Sequence, residues 1–104
     1  MASSKEYLDF ILEQLSGLDG ISHRAMMGEY IIYYRDKIVG GIYDDRLLVK
    51  DTKAARELLP QAPREEPYPG AKAMLLVEDV DDRGLLTGLL TAMYGELPLP
   101  GKKK

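Results

Sequence analysis

Three short apolar segments, Ala25–Tyr34, Ile38–Tyr43 and Leu47–Lys50, follow one another with only a few turn residues between them. Such spacing reads as an antiparallel meander, because turns this short join neighbouring strands. The segments outside it read as helices and one further strand packed onto that sheet. No constellation for bond-making chemistry is visible, so the sequence speaks more to architecture than to activity.

At 104 residues the chain is long enough for one core and too short for a second. With 45% apolar and 30% charged residues it has the balance of a soluble globular domain. The N-terminal segment lacks the basic and apolar stretches of an export signal, and no run of 18 apolar residues occurs, so a cytoplasmic location without membrane insertion is expected. The absence of cysteine removes disulfides, thiol catalysis and thiolate metal sites. The formal charge of −3 understates the acidity of the body. Without Lys102, Lys103 and Lys104, 11 basic side chains face 17 acidic ones, a balance of −6. A body of that sign repels a phosphate backbone unless its cations gather on one face. Residues 1–101 are read as the domain and 102–104 as a basic, solvated tail.

Ser3 or Ser4 caps a first helix, with capping-box spacing from Ser3 to Glu6. Its stripe of Tyr7, Leu8, Ile11, Leu12, Leu15 and Leu18 faces a sheet, Phe10 covers the edge of that stripe, and Gly17 and Gly20 bracket its end. The first long strand spans about Ala25 to Tyr34, Asp36-Lys37 turns into the second strand, and Asp44-Asp45-Arg46 turns into the third. Gly40-Gly41 inside the second strand points to close packing or a bulge. Thr52 or Asp51 caps a helix of two turns ended by Pro60, and Gln61–Gly70, with prolines at 63, 67 and 69, is an exposed connection. Lys72–Val77 is a fourth strand. Asp81 or Asp82 opens a last helix running to Tyr94, with Leu85, Leu86, Leu89, Leu90 and Met93 on one stripe. Gly84 and Gly88, four apart, predict close packing of that helix against the sheet or another subunit. Pro98, Pro100 and Gly101 keep the tail extended.

Candidates for chemistry are few. Asp79–Gly84 has acids at the first and third places of a calcium loop and Gly at the sixth, but Arg83 occupies the fifth and Leu90 the twelfth, so helix capping is the better reading. His23 is the sole histidine and reads as an edge or surface residue, since a metal or a nucleophile needs partners around it. Asp44 and Asp45 are adjacent turn acids that face water. Glu29, inside an apolar run, reads as the polar alternate of a half-wet sheet or the partner of Arg24, Arg35, Lys37 or Arg46. No metal and no cofactor is implied.

Seven tyrosines against one phenylalanine is an unusual ratio, and Tyr30, Tyr33, Tyr34 and Tyr43 all lie in the meander. By parity Tyr30 and Tyr34 point one way and Tyr33 the other, so some reach the solvent face. Tyrosine there fits a half-buried sheet, stacks a base or anchors a protein interface, and the acidic body favours protein over nucleic acid.

Arg24 to Lys50 resembles the N-terminal domain of the TfoX/Sxy family, bacterial proteins linked to natural competence and its transcriptional control. The family's Arg-x-Met-Phe-Gly segment corresponds to Arg24-Ala25-Met26-Met27-Gly28, with Met27 in place of phenylalanine. Its aromatic-rich strand corresponds to Tyr30–Tyr34, its small residue before the second strand's aromatic to Gly41-Ile42, and its Leu-Tyr-Leu-Lys ending to Leu47-Leu48-Val49-Lys50. A late strand with its Met resembles Lys72-Ala73-Met74, although Leu75, Leu76 and Val77 stand where tyrosines are expected. These are glycine and core positions, so the resemblance implies a fold more than an activity. The longer competence regulators carry a second, C-terminal domain; the likeness here is to the N-terminal domain alone.

The expectation is an α+β domain: an antiparallel sheet of about four strands, two main helices packed on it and a short helix before the last strand. The leading functional expectation is a non-catalytic regulatory or protein-interaction module, binding another protein or a second copy through Arg24, Glu29, Tyr30, Tyr33, Tyr34, Tyr43, Arg35 and Arg46. One alternative is a nucleic-acid-binding accessory protein using Arg24, Arg35, Lys37, Arg46, Lys50 and the tail. The other is a small enzyme in which Glu29, His23 and an aspartate converge.

Overall fold

The computed structural model describes residues 4–97. In chain order the elements are α1 (Lys5–Gln14), β1 (Ile21–Met26), β2 (Glu29–Tyr34), β3 (Lys37–Ile42), β4 (Leu47–Val49), α2 (Lys53–Leu58), β5 (Arg64–Glu65), β6 (Met74–Val77) and α3 (Arg83–Met93), followed by a single 3₁₀ turn at Tyr94–Glu96. The α+β class is as expected, but the sheet has six strands, in the order β1-β2-β3-β4-β6-β5, with every neighbouring pair antiparallel.

Both extra strands have a physical origin. The run read as one strand from Ala25 is broken by a two-residue turn at Met27-Gly28, so Ile21–Met26 folds back onto Glu29–Tyr34. Its sequence, Ile-Ser-His-Arg-Ala-Met, lacks a strand's alternation because β1 is an edge that is exposed along most of its length. The second addition, β5, is two residues long and hidden in the proline-rich connection, where Arg64 and Glu65 pair with Leu75 and Met74.

Three consecutive hairpins turn through Met27-Gly28, Arg35-Asp36 and Asp44-Asp45. All six residues have positive φ, from 50° at Arg35 to 87° at Gly28. Two-residue turns of this hand match the twist of the flanking strands. The turn expected at Asp36-Lys37 moves back one residue because Lys37 is already paired with Tyr34. Ile32 pairs with Gly40 and Tyr33 with Ile38, leaving Val39 as the extra residue of a β-bulge, 1% exposed.

The expected pair Gly40-Gly41 adjoins this bulge and meets backbone at close range. A Cβ on Gly40 would lie 2.1 Å from the Leu48 carbonyl oxygen and 2.8 Å from the Val49 Cα. On Gly41 it would lie 2.6 Å from the Tyr30 carbonyl oxygen and 2.7 Å from the Tyr43 ring.

The helices begin at residue types chosen for capping. Ser4 Oγ accepts from Tyr7 N at 3.1 Å, Thr52 Oγ1 from Ala55 N at 3.0 Å, and Asp82 Oδ1 from Leu85 N at 3.0 Å. The alternative cap at Ser3 lies outside the described residues. α1 stops at Gln14, short of Leu18, because the chain tightens there: Ser16 N bonds to Glu13 O and Leu18 N to Leu15 O, each three residues back. Leu8, Ile11 and Leu15 from the first segment and Leu86, Leu89, Leu90 and Met93 from α3 meet Ile32, Val39, Ile42, Leu47, Val49, Leu75 and Val77 of the sheet in one core. Both main helices therefore cover the same sheet face.

Gly84 and Gly88 do not pack closely against the sheet, the first of the two expected alternatives. Both are exposed, and a Cβ at Gly88 would meet nothing within 4 Å. Gly88→Ala is accordingly expected to stabilise the domain by about 1 kcal/mol through helix propensity alone, read as a Tm rise of about 4–6 °C in a thermal melt.

Candidate functional site

The sheet face opposite the helices carries the candidate site. Ladder register assigns to it Ser22, Arg24 and Met26 of β1, Glu29, Ile31 and Tyr33 of β2, Ile38 and Gly41 of β3, and Leu48 of β4, with Tyr43 and Lys50 just beyond the strand ends. Leu48 is fully buried yet stands outside the main core. The 66–73 segment borders this face. Tyr68 lines two adjoining cavities with Tyr43 and Lys50: one of about 660 Å³, shared with Met26, Met27, Ile31 and Ile38, and one of about 460 Å³, reaching to Lys72, Met74 and Leu97. Together they form a groove between the β1–β2 hairpin and the proline-rich connection.

The groove has apolar walls and polar ends. Met26, Met27 and Tyr68 are 50%, 98% and 61% exposed, among the most exposed large hydrophobic residues described. Tyr43 leans over Gly41, where the missing side chain leaves room for its ring. Burial, followed by the nearness of Tyr68 and of Glu29, pushes its hydroxyl above the ordinary tyrosine value. Glu29 Oε1 accepts from the Asp44 amide at 3.1 Å and so braces the β3–β4 turn. Asp45 Oδ1, on the same turn, accepts from Ser4 N at 2.8 Å and fastens the start of α1. Arg46 pairs with Glu65 and donates from Nε to the Tyr43 carbonyl at 3.1 Å.

At the other end, Asp51 accepts from Arg56 Nε at 2.6 Å and lies 3.1 Å from an Arg64 guanidinium nitrogen, tying α2 and β5 to the end of β4. The Arg56 hydrogen bond, with charge from Arg56, Arg64 and Lys72, holds the Asp51 carboxyl below its usual value despite some desolvation. A carboxyl lowered in the folded state contributes stability above the unfolded aspartate pKa, and that contribution disappears as pH falls through the folded value. Below about pH 4, Asp51→Asn should therefore lose less stability with falling pH than the unaltered chain, as read by urea midpoints between pH 6 and 3.

The structure separates several residues that sequence reading grouped. Tyr34 is buried at 6% exposure on the helix side, edge-on to Tyr94 at 5.4 Å. Tyr30 shares that side, half-buried, with His23 edge-on to it at 6.2 Å. His23 and Glu29 consequently lie on opposite faces of the sheet, so the three groups of the enzymatic alternative do not converge. The cations are dispersed too. Arg35 lies over Tyr34 at the β2–β3 turn, Lys37 donates to the Tyr94 carbonyl at 3.0 Å on the helix side, and Arg46 is at the opposite end of β3 from both. The Lys102–Lys104 tail lies outside the described residues. Asp82 of the calcium-like run is the α3 cap. Among the described residues no His, Cys, Asp and Glu group could hold a metal ion, and no helix is long and apolar enough to cross a membrane.

The expected contact stretch from Arg24 to Glu29 spans Met26 and Met27, whereas sequence reading missed Tyr68, which lies in the proline-rich connection. Met27-Gly28 falls within the segment resembling the family's Arg-x-Met-Phe-Gly, which places that motif at the tip of the β1–β2 hairpin and on the rim of the groove.

Comparison with known proteins agrees. The model of the TfoX N-terminal domain matches residues 13–82, a span that contains all six strands and α2. The chain belongs to the TfoX N-terminal domain family. A relative from Spirochaeta aurantia, described as an uncharacterized 12.7 kDa protein in the trpE 5′ region, is 33% identical over 105 residues, covering 100% of this chain and 91% of the relative. No solved structure matches. The TfoX match stops at the residue that caps α3, so what it covers is the sheet and the whole of the groove's strand-borne floor.

Proposed function

We propose that this TfoX N-terminal domain is a non-catalytic regulatory module that acts by binding another protein through the helix-free face of its sheet. The observation that carries this reading is the one-sided layer: both main helices pack on one face, while Met26, Met27 and Tyr68 stand exposed around a groove on the other. Contiguous exposed apolar surface rimmed by polar groups marks interaction sites, and methionine adapts to varied partners. The family is linked in general to competence regulation, and a role in its transcriptional control belongs to this proposal. The acidic body and the dispersal of Arg24, Arg35, Lys37 and Arg46 weigh against a phosphate-binding surface. The partner is a different protein or a second copy, in the cytoplasm.

A photo-crosslinking residue placed in cells at Met27 or at Tyr68 should yield protein adducts, whereas one at Leu58, exposed on α2, should yield few. Equal yields at all three positions, or adducts to nucleic acid, would overturn the reading. Light scattering across micromolar concentrations assigns a self-adduct to a stable dimer or to transient contact.

A further inference from the structure

Lys50 is half-buried, lines both cavities of the groove and makes no ion pair among the described residues. The nearby carboxylates are engaged elsewhere: Asp51 by Arg56 and Arg64, Glu96 by the amides of Lys53 and Ala54 at 2.9 Å each, and Glu29 by the Asp44 amide. Lys72, close enough to act on Asp51, lines the same end of the groove. Register sets the two ends apart. The row Ile31–Gly41–Leu48 crosses the sheet, with Glu29 two residues to one side of it and Lys50 two residues to the other. The groove thus runs from a carboxylate end to a cationic end over an apolar floor, in a chain whose overall charge is −3.

We propose that this groove binds an acidic, apolar peptide segment of a partner protein, with one carboxylate on Lys50 and the adjoining apolar side chains against Ile31, Ile38 and the Met26-Met27 tip. The proposal rests on the protein-binding reading above and names the chemistry of the partner. Lys50 is half-buried between the groove walls, so a carboxylate placed on it is screened by water less than at a fully open surface. The cavities, about 660 and 460 Å³, are in the size range of ligand-binding clefts and admit several residues of a peptide segment. Direction follows from the ends: the acidic residue lies toward Lys72 and away from Glu29.

The experiment is selection of a displayed random dodecamer library on the intact chain, followed by titration of the enriched peptides against variants. Enriched sequences should place Asp or Glu beside Leu, Ile, Phe or Met. They should bind Lys50→Glu at least about tenfold more weakly, and Lys50→Met should also weaken them while leaving the amide spectrum of the fold unchanged. Amide shifts on binding should centre on Ile31, Ile38 and Lys50. Basic enriched peptides, or acidic ones that bind both Lys50 variants undiminished, would overturn the proposal. Peptides that shift only Met26 and Met27, with no acidic preference, would remove Lys50 from the site and leave the protein-binding reading standing. Retention of no peptide, together with absent crosslinks at Met27 and Tyr68, would remove both.

Discussion

Gly40→Ala is expected to destabilise the domain by about 3 kcal/mol or more, at the top of the range for overpacking. The added methyl would lie 2.1 Å from the Leu48 carbonyl oxygen, 2.8 Å from the Val49 Cα and 3.0 Å from the Leu48 carbonyl carbon. All three are backbone atoms of the neighbouring strand, so no side chain can swing aside. Relief requires β3 and β4 to part at the bulge, where Val39 O accepts from Lys50 N at 2.9 Å. A urea melt should show a strongly lowered midpoint, or no folded baseline, since domains of this size hold about 5–15 kcal/mol in total. Gly41→Ala should lose less, because two of its three near atoms belong to the Tyr43 ring, which can move at the expense of the groove wall. Equal losses at the two glycines, or a loss under about 1 kcal/mol at Gly40, would contradict the β3–β4 register.

Leu89→Ala is the second large effect. Leu89 is 0% exposed on the face of α3 that meets the sheet, and truncating a leucine so placed removes its transfer free energy and leaves a cavity, a loss of about 3–4 kcal/mol. Met27→Ala is the matched control. At 98% exposure Met27 contributes almost nothing to the core, and its replacement should move stability by no more than about 0.5 kcal/mol. Midpoints from chemical denaturation measure both. A Met27 loss comparable to that of Leu89 would mean that the hairpin tip is structural, and would remove the reason to assign it to a partner.

Much of the architecture was readable locally. Ser4, Thr52 and Asp82 are side chains that satisfy orphan amides, and each opens the helix that follows it. The stripes of α1 and α3 repeat at the helical period, so their buried residues were identifiable without knowing what they met. The close approach at Gly40-Gly41 was legible because a strand tolerates two missing side chains only where something occupies their space. The site was less legible. Of the residues grouped as a contact surface, Arg24, Glu29, Tyr33, Tyr43 and Arg46 lie on or border the outer face, while Tyr30 and Tyr34 turn to the helix side and Arg35 sits at a distant turn. Tyrosine chemistry suits both a wet and a dry face, and strand parity alone does not say which face receives the helices.

Periodicity, capping chemistry and the tight spacing of apolar runs were sufficient to establish an antiparallel sheet layered with helices, because each acts over a few residues. Long-range pairing settled the rest. Met27 has no intrinsic preference for positive φ, and it adopts 54° because β1 and β2 pair over six residues on either side of the turn. Arg64 and Glu65 become a strand only because β6 offers an open edge. Lys50 has no ion-pair partner among the described residues because α2, β5 and their arginines occupy the neighbouring acids. Which face of a sheet is left without helices depends on where distant helices dock, and no window of local residues carries that information.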